Sequence, residues 1–88
     1  MTINARPTPN PNSLKFEVSG ATLTEERQLA FHSLREAASD ELGHLLFALR
    51  GVESLLITPQ WVTVTKQAAA DWDLLSEGVE QVLKEHLG

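Results

Sequence analysis

Two prolines and two asparagines fall inside the five residues Thr8-Pro9-Asn10-Pro11-Asn12, and the chain then passes directly into the alternating run Ser13-Leu14-Lys15-Phe16-Glu17-Val18. Proline fixes φ and lacks a backbone donor, and each residue before a proline is pushed towards extended conformations. Thr8 and Asn10 are therefore constrained along with Pro9 and Pro11. The asparagine amides can bond neighbouring backbone groups, as they do in turns, or meet a partner. This spacing predicts a stiff, shaped loop that delivers the chain into a strand. In that strand Leu14, Phe16 and Val18 share one face and Lys15 and Glu17 the other. Met1 to Arg6 reads as a leader that frays.

Beyond Ser19-Gly20 a polar connection leads to Gln28-Leu29-Ala30-Phe31-His32. This is a weak strand with Leu29 and Phe31 inward, although Leu23 to Phe31 also contains enough helix formers to be read as a short helix. Ser33 and Glu36 have the spacing of a capping box. Leu34, Ala38, Leu42, Leu45, Leu46 and Leu49 recur at the helical period, and Gly51 is placed to end that helix. Ser39-Asp40 offers a second N-cap, so the segment is either one bent helix or a short helical lead followed by the main one.

Val52 to Thr58, Pro59-Gln60 and Trp61 to Gln67 read as a hairpin, with Pro59-Gln60 suited to the centre of a type I turn. Trp61, Thr63 and Thr65 share one face and Val62 and Val64 the other, and the pattern leaves open which face is inward. Asp71 caps a last helix whose apolar stripe is Trp72, Leu75, Val79, Val82, Leu83 and His86 or Leu87. The element order predicts an α+β fold: a small, mostly antiparallel sheet of three to four strands with two main helices packed on one face, in the order β-β-α-β-β-α. One domain over residues 1–88 accounts for the length.

Taken in order, the TPNPN-SLKF entry, the Leu46-Phe47-Ala48-Leu49-Arg50-Gly51-Val52 helix end, the hairpin into Trp61-Val62-Thr63-Val64-Thr65-Lys66 and the tryptophan opening the last helix form a pattern. It resembles the N-terminal domain of Nfu-type iron–sulfur scaffold proteins. The resemblance runs from about Thr8 to Leu87, and its specificity lies in the TPNPN-SLKF and TVTK segments. Relatives often carry a glycine in the hairpin turn, from which Pro59 departs. Full-length scaffolds of this kind usually hold the cluster through a Cys-x-x-Cys pair in a second domain, so the likeness is to the first domain standing alone.

The 88 residues contain no cysteine, which excludes a disulfide, a thiolate nucleophile and every common cysteine-held Fe–S or zinc arrangement within them. Seven basic against twelve acidic residues give a net charge of −5, the wrong sign for a protein that binds nucleic acid by neutralising phosphates. No apolar run is long enough to span a membrane and no secretory signal opens the chain, so a cytoplasmic location is the default expectation. There is no G-x-S-x-G elbow, Gly-rich phosphate cradle or HExxH, and an enzyme is not expected.

Glu41 and His44 have the i, i+3 spacing by which a helix offers a carboxylate and an imidazole to one iron. Di-iron bundles, however, need two such motifs and two further glutamates. With no thiolate available, the resemblance implies a non-catalytic, monomeric interaction module in iron–sulfur cluster assembly or delivery that docks a cluster scaffold or an apo client protein. The expected partner-binding positions are Thr8, Pro9, Asn10, Pro11, Asn12, Lys15, Thr63, Thr65 and Lys66. If the first and last strands are neighbours, Lys15 and Lys66 lie close together on a bare sheet face. The alternatives are an iron or small-ligand carrier using Glu41 and His44, and a protein-interaction adaptor unrelated to iron.

Overall fold

The computed structural model describes residues 1–88. Its elements in chain order are β1 (Thr2–Pro7), β2 (Ser13–Ser19), β3 (Leu29–Phe31), α1 (Leu34–Ala37), α2 (Glu41–Phe47), β4 (Val52–Ile57), β5 (Trp61–Lys66) and α3 (Trp72–Leu87). The strands form one sheet in the order β1-β2-β5-β4-β3, and every neighbouring pair is antiparallel. The α+β class is as the sequence predicts, but the sheet has five strands rather than three to four.

The additional strand is β1, which replaces the frayed leader expected over residues 1–6. Thr2 to Pro7 pair in register with Ser19 to Leu14. Its apolar side chains are few: Ile3 packs against the core while the other five residues are exposed. Backbone pairing holds this edge strand, so the alternation of side chains alone leaves it nearly silent. Pro7 sits at its end, where a missing donor costs least.

Directly opposed residues of antiparallel strands share a face. Phe16 opposes Val62, Leu55 opposes Val64 and Ile57 opposes Val62, and all five are buried. The valine face of β5 is thus the inward one, and Trp61, Thr63 and Thr65 point outward. Leu42 and Leu46 of α2 and Leu75, Val79 and Leu83 of α3 close the core from the helical side. Each such side chain contributes about 1.5–3 kcal/mol by leaving water.

Helix formation follows the caps. Ser33 Oγ accepts from Glu36 N at 3.1 Å, and the Glu36 carboxylate reaches back to His32 N at 2.7 Å. Asp40 Oδ2 then accepts from Gly43 N at 2.8 Å and starts α2 afresh. Of the two helical arrangements the sequence allows, the short lead followed by the main helix is the one formed. The restart resets the helical phase, so Ala37 is buried in place of the expected Leu34 and Ala38, and Leu45 is left 40% exposed. Gly51 has φ +100, a left-handed backbone available to glycine, and turns the chain into β4. At the hairpin neither Pro59 nor Gln60 has positive φ, which excludes the primed turns and type II. Thr58 N donates to Trp61 O at 2.8 Å across that turn.

Candidate interaction site

The loop before β2 is folded on itself and then tied to two distant segments. Thr8 Oγ1 lies 2.9 Å from Asn10 O and 3.2 Å from Ser13 O, and it accepts from Asn10 N at 3.2 Å. Asn10 Oδ1 accepts from Asn12 N at 2.9 Å, and Asn10 O accepts from Ser13 N at 3.0 Å. With Pro9 and Pro11 fixing φ, these bonds leave the loop little freedom to lose. Lys66 N donates to Asn12 O at 2.7 Å, and Trp72 Nε1 donates to Pro11 O at 3.2 Å. The acceptor that a half-buried indole requires is therefore supplied by the loop itself.

Lys66 is the unexpected member of this group. It is only 8% exposed, and its ammonium donates to Asn12 Oδ1 at 3.2 Å, Gln67 O at 3.4 Å and Ala68 O at 3.2 Å. All three donors of the ammonium are matched by neutral oxygens, with no carboxylate in the set. The strands β2 and β5 are neighbours, but Lys66 has the parity of Val62 and Val64 and points to the core side. Lys15 opposes Thr63 on the other side. The expected approach of Lys15 to Lys66 is thus not found, because the two project from opposite faces of the sheet.

The outward face carries a separate cluster. Lys15 Nζ lies 4.8 Å from the centroid of the Trp61 ring, a cation–π contact between diagonal neighbours on β2 and β5. Arg6 of β1 pairs with Glu17, and Lys15 Nζ is 3.8 Å from the same carboxylate. Thr63 sits beside Lys15 and Leu56, partly exposed. Thr65 Oγ1 is 2.7 Å from Ser13 Oγ, so its hydroxyl is engaged within the sheet. Of the nine expected positions, Lys15 and Thr63 lie on the open sheet face and Thr8 to Asn12 form the loop at its end. Thr65 is bonded to Ser13 and Lys66 is internal.

Sequence reasoning missed Trp61 as the platform for Lys15, and Arg6 because β1 was not recognised. The pairing register of β2 with β5 is what joins these residues. Glu41 and His44 do not form a centre: Glu41 Oε1 instead approaches His86 Nδ1 of α3 at 3.8 Å, and nowhere do three His, Asp or Glu side chains gather as a metal would require.

A family described as "Scaffold protein Nfu/NifU N terminal" matches residues 3–88. The chain belongs to the Nfu/NifU N-terminal family. The human protein named NFU1 iron-sulfur cluster scaffold homolog, mitochondrial, is 39% identical over 80 residues, covering 90% of this chain and 31% of that protein. The Drosophila willistoni protein of the same name is 35% identical over 83 residues, covering 94% of this chain and 29% of its own length. Among solved structures, a NifU-like protein from Saccharomyces cerevisiae superimposes with a TM-score of 0.82 at 26% identity, covering 96% of this chain and 76% of that one. Staphylococcus aureus protein SAV1430 gives 0.77 at 22% identity, covering 94% and 99%, and shares the fold. The chain spans less than a third of the length of the human and Drosophila scaffold homologues. The names of the human and Drosophila relatives overturn the cytoplasmic expectation, since both are named as mitochondrial proteins.

In this member of the Nfu/NifU N-terminal family the two segments that carry the resemblance, the loop and the TVTK strand, meet at Lys66 and Asn12.

Proposed function

We propose that this domain serves iron–sulfur cluster assembly as a non-catalytic docking module, binding a cluster scaffold or an apo client protein through the open sheet face around Lys15, Trp61 and Thr63. The observation that carries the reading is the match of residues 3–88 to a scaffold family in a chain without cysteine. Whatever cluster is handled through thiolates is handled outside these 88 residues, and protein contact is what remains for them to supply.

The chemistry of the face supports an acidic partner segment. Across β1, β2 and β5 it presents Arg6 and Lys15 against one acid, Glu17, whereas the chain as a whole has net charge −5. Like-charged surfaces elsewhere on the molecule disfavour an acidic partner, so approach is steered to this side. Trp61 and the Lys15 stem supply apolar area that is already held in place by the cation–π contact, which lowers the ordering cost of binding. The loop Thr8–Asn12 is a stiff rim at the other end of the same strands, beside Ser13 and Lys66, with Lys15 and Thr63 between it and Trp61.

Affinity capture with the purified domain, followed by identification of the bound proteins, tests this. Cluster-assembly proteins or apo iron–sulfur clients are expected with the native chain, and are expected to be lost with Lys15→Glu and with Trp61→Ala. Capture of the same proteins at undiminished yield by both variants removes the face as the site. Recovery of only unrelated proteins removes the role.

A further inference from the structure

The sheet ends at β1, and the outer edge of that strand is unpaired. Which of its backbone groups face outward follows from the ladder. Val18 N donates to Gln60 O and Lys66 N to Asn12 O, so the even-numbered residues of β2 direct their backbone groups to β5 and the odd-numbered ones to β1. Ser19, Glu17 and Lys15 oppose Thr2, Asn4 and Arg6. Those three residues of β1 therefore bond inward to β2, and Ile3 and Ala5 between them turn both N–H and C=O away from the sheet. None of the loop, turn and cap bonds of the chain reaches these four groups.

Exposed edges are usually guarded by shortness, charge, proline or a bulge, since they template pairing with another chain. The opposite edge, β3, is three residues long and is followed closely by α1. β1 has six residues, and its register with β2 runs through six pairs without a bulge. Pro7 guards only its last position. Ala5 is exposed although it opposes the fully buried Phe16, so the helical layer stops short of this strand and leaves room beside the edge. Arg6 is the one charged side chain of the strand. Its Nε is bonded to Glu17, its terminal nitrogens have no partner within the chain, and Lys15 Nζ shares the Glu17 carboxylate at 3.8 Å. Two cations stand against one acid at this end of the edge.

We propose that β1 accepts an extended segment of a partner protein as a sixth, antiparallel strand, and that this segment carries a carboxylate opposite Arg6. The outward N–H and C=O groups select the conformation of the guest, because an extended backbone returns acceptors and donors at the spacing of Ile3 and Ala5. Antiparallel pairing is the more stable arrangement per residue and is that of every pair already in the sheet. From Arg6 towards Thr2 the guest then reads acid, apolar, polar, apolar. Its acid and polar residues lie on the open face opposite Arg6 and Asn4, and its apolar ones lie on the helical side opposite Ala5 and Ile3. The acid supplies the missing negative charge and meets the unpaired end of the guanidinium. A second copy of this chain brings a like net charge of −5 and a β1 without an acidic residue, so it matches the edge less well. The edge is a site apart from the open face around Trp61, and the inference does not need the iron–sulfur role.

The test uses a synthetic peptide with a central Glu-Val-Thr-Val run, titrated into the ¹⁵N-labelled chain beside a control peptide with lysine in place of the glutamate. With the glutamate peptide, amide exchange is expected to slow at Ile3 and Ala5, whose N–H groups gain acceptors, and to change little at Asn4 and Arg6, whose amides are already bonded to β2. N-methylation of the two valines, whose amides face the edge, is expected to abolish that protection, and N-methylation of the threonine, whose amide faces away, to leave it. Ala5→Pro deletes one outward donor at an edge position that tolerates proline. It is expected to weaken binding about tenfold, the loss of one hydrogen bond. Arg6→Glu is expected to transfer the preference to the lysine peptide. Trp61→Ala, which disables the open face, is expected to leave the response in place, so the two sites fail separately. No slowing at Ile3 and Ala5 with the glutamate peptide, or equal binding of the lysine or the valine-methylated peptide, overturns the proposal. So does slowing at the same amides that grows with protein concentration in the absence of peptide, which assigns the edge to a second copy of this chain.

Discussion

Lys66 Nζ donates to Asn12 Oδ1 at 3.2 Å, joining the end of β5 to the loop before β2 across 54 residues of sequence. The same ammonium holds the carbonyls of Gln67 and Ala68, so one side chain fixes the loop and the start of the connection to α3 together. A lysine that is buried and paired only with neutral oxygens must make all of its bonds, since a charge left partly unsatisfied in such a place is costly. Asn12→Ala is therefore expected to destabilise the fold by about 1–3 kcal/mol. Lys66→Met, which keeps the stem and removes the donors, acts in the same direction. Urea denaturation of the two single variants and the double variant checks this. The double variant should lose clearly less than the sum, because both substitutions break one shared interaction.

Trp72 anchors the other side of the loop through its indole N–H to Pro11 O at 3.2 Å. Trp72→Phe keeps the ring against the core and deletes the donor. An expected loss of about 0.5–1.5 kcal/mol follows for one hydrogen bond. Hydrogen exchange should accelerate at Asn10, Asn12 and Ser13 while the β4–β5 hairpin stays protected, locating the effect in the loop.

Gly43 lies inside α2, where alanine would ordinarily favour the helix by about 1 kcal/mol. A Cβ there would stand 2.6 Å from Phe31 Cε2 and 3.0 Å from Phe31 Cδ2. The clash with a buried ring outweighs the propensity gain, because overpacking a filled core costs about 1–3 kcal/mol. Gly43→Ala is expected to lower the thermal midpoint. Adding Phe31→Leu is expected to recover part of the loss, whereas simple helix propensity predicts a rise with Gly43→Ala alone.

Much of this fold is legible in the chain, and the failures have physical causes. The N-caps Ser33, Asp40 and Asp71 are readable because each is a short polar side chain placed before an apolar stripe, and all three accept the backbone bond expected of them. The strand β1 is not readable because backbone pairing holds it while Ile3 alone supplies its apolar contact. Lys66 reads as an open-face residue by its charge, but it shares the parity of Val62 and Val64, and those valines face inward because they oppose the buried Phe16, Ile57 and Leu55, a pairing that alternation within β5 does not specify. The contact of Lys15 with Trp61 depends on the register between β2 and β5, which no local pattern specifies.

The most direct measurement for the docking account is an NMR titration of the ¹⁵N-labelled chain with a purified, cluster-loaded Cys-x-x-Cys scaffold domain and, separately, with an apo client. The two tryptophan indoles give separate signals, one on the open face and one locked to Pro11. The account predicts saturable shifts at Arg6, Lys15, Thr63 and the Trp61 indole, a Trp72 indole that stays in place, and loss of the response in Lys15→Glu. Absence of shifts with both proteins, or a response that Lys15→Glu leaves intact, contradicts it.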